Sequence, residues 1–70
     1  MPFVIGPVEP IDRDTLIRCL NDKFVMCEHI IEGGTNVIFH DIDYADKNIN
    51  KGDFIYIAEG RYGHKYVWDP

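Results

Sequence analysis

The residues best suited to chemistry are Cys27, His29 and His40. Cys27 and His29 stand two apart in a β-prone stretch, so their side chains share one face of a strand. If the glycine pair Gly33-Gly34 forms the turn of a hairpin, residue pairs sum to 67 and His40 lies opposite Cys27. A thiolate and two imidazoles converging on one face could hold zinc. A Cys27–His40 pair could equally make a nucleophile and its base. Neither pattern is specific. There is no CxxC or HxxxH pair, and a C-x-H spacing is short enough to arise by chance, so the expectation is that the chain holds no metal or other cofactor.

A second cluster is His40-Asp41-Ile42-Asp43, an imidazole beside carboxylates, with Glu59 facing His64 further on. Such neighbours can hold a histidine proton, but ordinary surface ion pairs do the same. The chain has no serine, and its only threonines are Thr15 and Thr35. With no catalytic residue set assembled, a noncatalytic protein is expected.

The elements that must position these residues are short. Residues 3–8 (Phe-Val-Ile-Gly-Pro-Val) are β-prone but interrupted by Gly6 and Pro7, which suits an edge strand or an extended arm. Residues 13–21 are the one helix expected. Asp12 suits its N-cap, Ile11 and Leu16 occupy the positions of a hydrophobic staple, and Leu16, Ile17 and Leu20 form an apolar stripe. Residues 24–42 read as a hairpin about the two glycines, and the pattern leaves open which face meets the core. Residues 43–52 are polar and read as a loop with at most one helical turn. Residues 53–59 and 64–68 read as a second hairpin closed by Gly60-Arg61-Tyr62-Gly63, with Ile55, Ile57, Tyr66 and Trp68 on one face and Phe54, Tyr56, Ala58 and Val67 on the other. The sum is one α+β domain over residues 1–70: a small, mainly antiparallel sheet of four to five strands with one helix packed on a face.

Seventy residues allow one core. A chain of this size buries only about 60% of the surface it exposes when unfolded, which leaves little room for a deep cleft. The hydrophobic fraction of 46% is ample for collapse. Twelve acids against seven Lys and Arg give a formal charge of −5, which argues against direct nucleic-acid binding and against anionic lipid. Two cysteines, Cys19 and Cys27, are too few for a disulfide scaffold, and Met1-Pro2-Phe3-Val4-Ile5-Gly6 lacks the basic and apolar regions of an export signal. A cytoplasmic protein with free thiols is expected, and no membrane partner.

Lys51-Gly52-Asp53-Phe54-Ile55-Tyr56-Ile57, followed by Gly60 and Gly63, resembles the strand entry and glycine-rich hairpin of SH3-like barrels over about 18 residues. That resemblance implies a small barrel binding peptide or RNA, with Tyr62, Tyr66, Trp68, Arg61 and Lys65 as its contact residues. No Lys or Arg occurs between Phe24 and Asp46, a span that holds Glu28, Glu32, Asp41, Asp43 and Asp46. Gathered on one surface, with Tyr44 as an aromatic anchor, these carboxylates would steer the domain to a basic protein partner. In size, charge and lack of catalytic residues the chain is similar to small phage-encoded inhibitors, including anti-CRISPR proteins. That class-level likeness implies a viral inhibitor acting on a nucleic-acid-binding host protein. Self-association into a homodimer, through the N-terminal arm or the sheet edges, is compatible with the same sequence.

Overall fold

The computed structural model describes residues 8–70, so the strand expected over 3–8 lies outside the described residues apart from Val8. The elements run β1 (Glu9–Ile11), α1 (Arg13–Asn21), β2 (Val25–His29), β3 (Val37–Phe39), α2 (Ile42–Asn48), β4 (Phe54–Glu59) and β5 (Tyr62–Trp68). They form one five-stranded sheet in the order β1-β5-β4-β2-β3. Only β1 and β5 pair in parallel, and the other three pairs are antiparallel. The mainly antiparallel α+β architecture is therefore as the sequence predicts, with two helices in place of one. The sheet is open, with β1 and β3 at its edges, and it does not close into an SH3-like barrel.

Helix α1 starts where Asp12 places its carboxylate on the backbone N–H of Thr15 (2.8 Å). Backbone Asp12 C=O accepts from Leu16 N–H at 3.0 Å, and the Leu16 side chain is fully buried. Helix α2 replaces the expected loop. Asp41 caps it in the same way, accepting from Tyr44 N–H at 3.0 Å. Ile42, Ala45 and Ile49 then recur at helical spacing, with Ala45 and Ile49 buried. The helix is only seven residues long and persists because that stripe meets the sheet.

Strand directions show why both helices lie on one side. β1–α1–β2 and β3–α2–β4 are both crossovers between parallel-running strands, since β2 is antiparallel to both β3 and β4. The two crossovers run in opposite senses across strands of opposite direction. Sharing the usual right-handed turn, they deliver both helices to the same face. That face holds the core: Ile11, Cys27, Phe39, Ile55 and Trp68 from the strands, with Leu16, Ala45 and Ile49 beneath the helices.

The first hairpin pairs one residue out of the expected register. Cys27 faces Phe39, Glu28 faces Ile38 and His29 faces Val37, so pairs sum to 66. The connection is longer than a two-glycine turn. Gly33 alone takes a left-handed φ (+74°), and Asn36 Oδ1 accepts from Ile31 N–H within it. A shift of one residue moves every partner to the opposite face. In the second hairpin the facing sets are as predicted, with Ile55 opposite Tyr66 and Phe54 opposite Val67. Its turn is tighter than the four-residue loop expected: Gly60 takes φ +60°, β5 begins at Tyr62, and Glu59 faces Tyr62 while His64 faces Ile57. No helix among the described residues is long and apolar enough to cross a membrane.

Candidate functional site

The corrected register separates the expected metal ligands. Cys27 and His29 lie on the core face of β2, whereas His40 follows Phe39 out of β3 and is exposed. No group of three metal-ligating side chains comes together among the described residues. Cys27 and His40 do line the same half-open cleft, of about 540 Å³, beside β3. Burial, with a smaller push from nearby Cys19, raises the Cys27 thiol to about 11, so it is not a thiolate at neutral pH. Burial also raises Cys19. Both thiols are unpaired.

His29 is held from both sides. It is 5% exposed. Its Nε2 lies 3.1 Å from Asp53 Oδ2 and its Nδ1 lies 3.0 Å from the Tyr44 hydroxyl. A carboxylate only accepts, so Nε2–H donates to Asp53, and in the neutral ring Nδ1 accepts the Tyr44 O–H. The same Asp53 oxygen accepts from Asn50 N–H at 3.0 Å. Tyr44 stacks on Phe39 with ring centroids 5.1 Å apart. An Asp–His–Tyr chain of this kind could relay protons if it reached solvent at a cleft. Here it ties β2, α2 and the turn before β4 together, and its imidazole is enclosed.

The carboxylates singled out in the sequence fall on different elements. Glu28 lies on β2 with its side chain on the face away from the helices, in the row of Ile38 and Tyr56. Glu32 lies in the β2–β3 connection. Asp41 is a helix cap, and Asp43 is exposed in the first turn of α2. Asp46 is clasped by Arg13, Nε at 3.0 Å and Nη2 at 2.8 Å, and that hydrogen bond holds its carboxyl below the usual range. Tyr44, bonded to His29, is half-buried. Among the residues carried by the SH3-like resemblance, Trp68 is buried in the core and Tyr66 packs against it, while Tyr62 is exposed and Lys65 lies on the opposite face.

The feature that sequence reasoning missed is the helix-free face of the sheet. Alternation along the strands puts Met26, Ile38, Phe54, Tyr56, Ala58 and Val67 there. Met26 is 43% exposed, Ile38 50% and Phe54 38%. No described element lies over them. The surface is tightly fitted: the Tyr56 ring lies across Gly63, where a Cβ would collide with it. Lys65 folds back so that its ammonium sits 4.5 Å above the Phe54 ring, a cation–π contact. The apolar residues flank a middle row that carries Glu28 and Lys65, and apolar side chains exposed on an uncovered sheet face make it a candidate contact surface.

No known family, curated protein or solved structure matches this chain.

Proposed function

We propose that this chain is a noncatalytic protein-binding domain that docks proteins through the helix-free face of its sheet. The observation that carries this reading is the exposure of Met26, Ile38 and Phe54 on the one sheet face that no described element covers. Burying such a surface against another protein contributes about 25 cal/mol per Å² of apolar area. The groups best suited to catalysis lend no competing reading, because His29 spends both ring nitrogens internally and Cys27 is a buried thiol. Unpaired thiols at Cys19 and Cys27 suit a reducing, cytoplasmic setting.

The acidic route to a basic partner is narrower than composition implies. Of the six acidic-surface residues, only Glu28, Glu32 and Asp43 have side chains free of a partner among the described residues, and Glu28 belongs to the apolar face. Charge on this domain then tunes an apolar contact, and inhibition of a nucleic-acid-binding protein would proceed through that contact.

The test uses a photo-crosslinking amino acid placed at Ile38, Asp14 or Asp43 in the full chain, irradiated in lysate and with purified protein alone. Adducts at Ile38 and none at Asp14 or Asp43 support the reading. Adducts only at Asp43 would transfer the function to the acidic helix, and an absence of adducts at Ile38 would remove the proposal.

A further inference from the structure

We infer that the occupant of the helix-free face is a second copy of this chain, stacked face to face about a two-fold axis that runs along β4. The inference rests on the binding role proposed for that face and names its partner.

The strand order places β4 at the centre, with β5 and β1 on one side and β2 and β3 on the other. One row of side chains crosses the face at Tyr56. Ladder pairing puts Glu28 next to it on β2 and Lys65 next to it on β5, with Ile38 beyond Glu28 on β3. At the other end, Val8 stands one residue before Glu9 in line with Lys65, and it is 37% exposed. The row therefore reads Ile38, Glu28, Tyr56, Lys65, Val8. It is symmetric in kind about Tyr56, with an apolar residue at each end and an aromatic in the centre, and opposite in the sign of its charges.

That pattern selects one symmetry. Face-to-face stacking by a two-fold axis requires the axis to lie in the plane between the sheets, and the same patch must complement itself. An axis along β4 exchanges the β2 side of one copy with the β5 side of the other. Glu28 then meets the partner's Lys65, the partner's Glu28 meets Lys65, Ile38 meets Val8, and Tyr56 meets its own copy. An axis across the strands through the Tyr56 row would set Glu28 against Glu28 and Lys65 against Lys65. Like charges brought together in a drying interface are unfavourable, so the second arrangement is rejected. Either axis keeps the strands of the two sheets roughly aligned, at a separation of about 10 Å, so the charges make the choice. Neither Glu28 nor Lys65 has an ion-pair partner among the described residues. The cation–π contact keeps the Lys65 ammonium down on the face at Phe54, within reach of a carboxylate arriving from above.

The footprint sets the strength. Five strands of three to seven residues, about 4.8 Å apart, give a face of roughly 400 Å². That is below the roughly 800 Å² per partner of a standard stable interface, so the dimer belongs to the weak class that dissociates on dilution.

The experiment is sedimentation of the full chain from low micromolar to near-millimolar concentration, in low salt. The wild type is expected to pass from monomer to dimer. Glu28→Lys alone and Lys65→Glu alone each place two like-charge contacts in the interface and should weaken the dimer by at least about tenfold. An equimolar mixture of these two variants restores both contacts and should dimerise as the wild type does. The doubly exchanged chain, Glu28→Lys with Lys65→Glu, should pair with itself but poorly with the wild type, and circular dichroism checks that each variant is folded. A wild type that stays monomeric throughout, single exchanges that dimerise unchanged, or a mixture that fails to recover would each overturn the inference. A monomer that still forms adducts at Ile38 with another protein would sink the second copy and leave the binding face standing.

Discussion

Tyr44→Phe removes one oxygen atom and should weaken the whole domain. The ring remains to stack on Phe39, so the loss is confined to the hydrogen bond with His29. The His29 side chain is only 6% exposed, and its Nδ1 is left in the interior with no donor. A bond of this kind is worth about 1 kcal/mol, and stranding a buried acceptor raises the cost to about 1–3 kcal/mol. His29→Ala costs more, about 3–4 kcal/mol, because it loses both bonds and leaves a cavity. The Asp53 bond counts toward the low end of a charged hydrogen bond, since that carboxylate is 36% exposed. Against a total stability of roughly 4–10 kcal/mol for a domain of this size, either change is large. The assay is urea denaturation followed by the emission of Trp68, the single tryptophan, which is 2% exposed when folded. With a slope of about 1 kcal/mol per molar, the Tyr44→Phe midpoint should fall by about 1–3 M. Combined with His29→Ala, Tyr44→Phe should add almost nothing, because its partner has gone. Additive effects, or a Tyr44→Phe variant within about 0.3 kcal/mol of wild type, would refute the network.

Three further outcomes follow from the same structure. Hydrogen bonds to Thr15 N–H and to Arg13 hold the carboxyls of Asp12 and Asp46 below their ordinary value of 3.8. Their stabilisation is thus complete above that value and is lost as the pH falls through it and below. Asp46→Asn should flatten this acid limb of a thermal-denaturation profile, and an unchanged limb would contradict the ion pair. Thiol titration with an aromatic disulfide at pH 7.5 should modify Cys19 before Cys27, because Cys27 is the more deeply buried and its thiol is raised to about 11. Equal rates would contradict that placement. Gly63→Ala should destabilise by about 1–3 kcal/mol, although alanine is no worse than glycine in a strand, because the Tyr56 ring must move. A stabilised variant in urea denaturation would show that the ring does not lie there.

Much of the fold was legible wherever a residue type forces one local geometry. Asp12 and the Leu16 stripe mark α1, and the alternation in β4 and β5 assigns their two faces correctly. The register of the first hairpin was not legible, because two adjacent glycines suit a tight turn, whereas the chain closes a longer connection with Asn36 accepting from Ile31. That single-residue shift removed His40 from the face of Cys27 and His29. Helix α2 was hidden by its own polarity, since only Ile42, Ala45 and Ile49 report its buried side; Asp41 as a cap was the available signal. The exposure of Met26, Ile38 and Phe54 could not be read at all from local pattern. It depends on both crossovers sharing one hand, a property of the assembled sheet. A hairpin with apolar residues on both faces offers no clue to which face the helices will cover.

A docking role for the helix-free face requires that face to be open in the monomer. Methyl NMR with a neutral gadolinium relaxation agent, at a concentration too low for pairing, measures this directly. Met26 and Ile38 should broaden strongly, with Ile55 and Leu16 untouched. Equal protection of Met26, Ile38 and Ile55 in that dilute sample would contradict the open face and everything inferred from it.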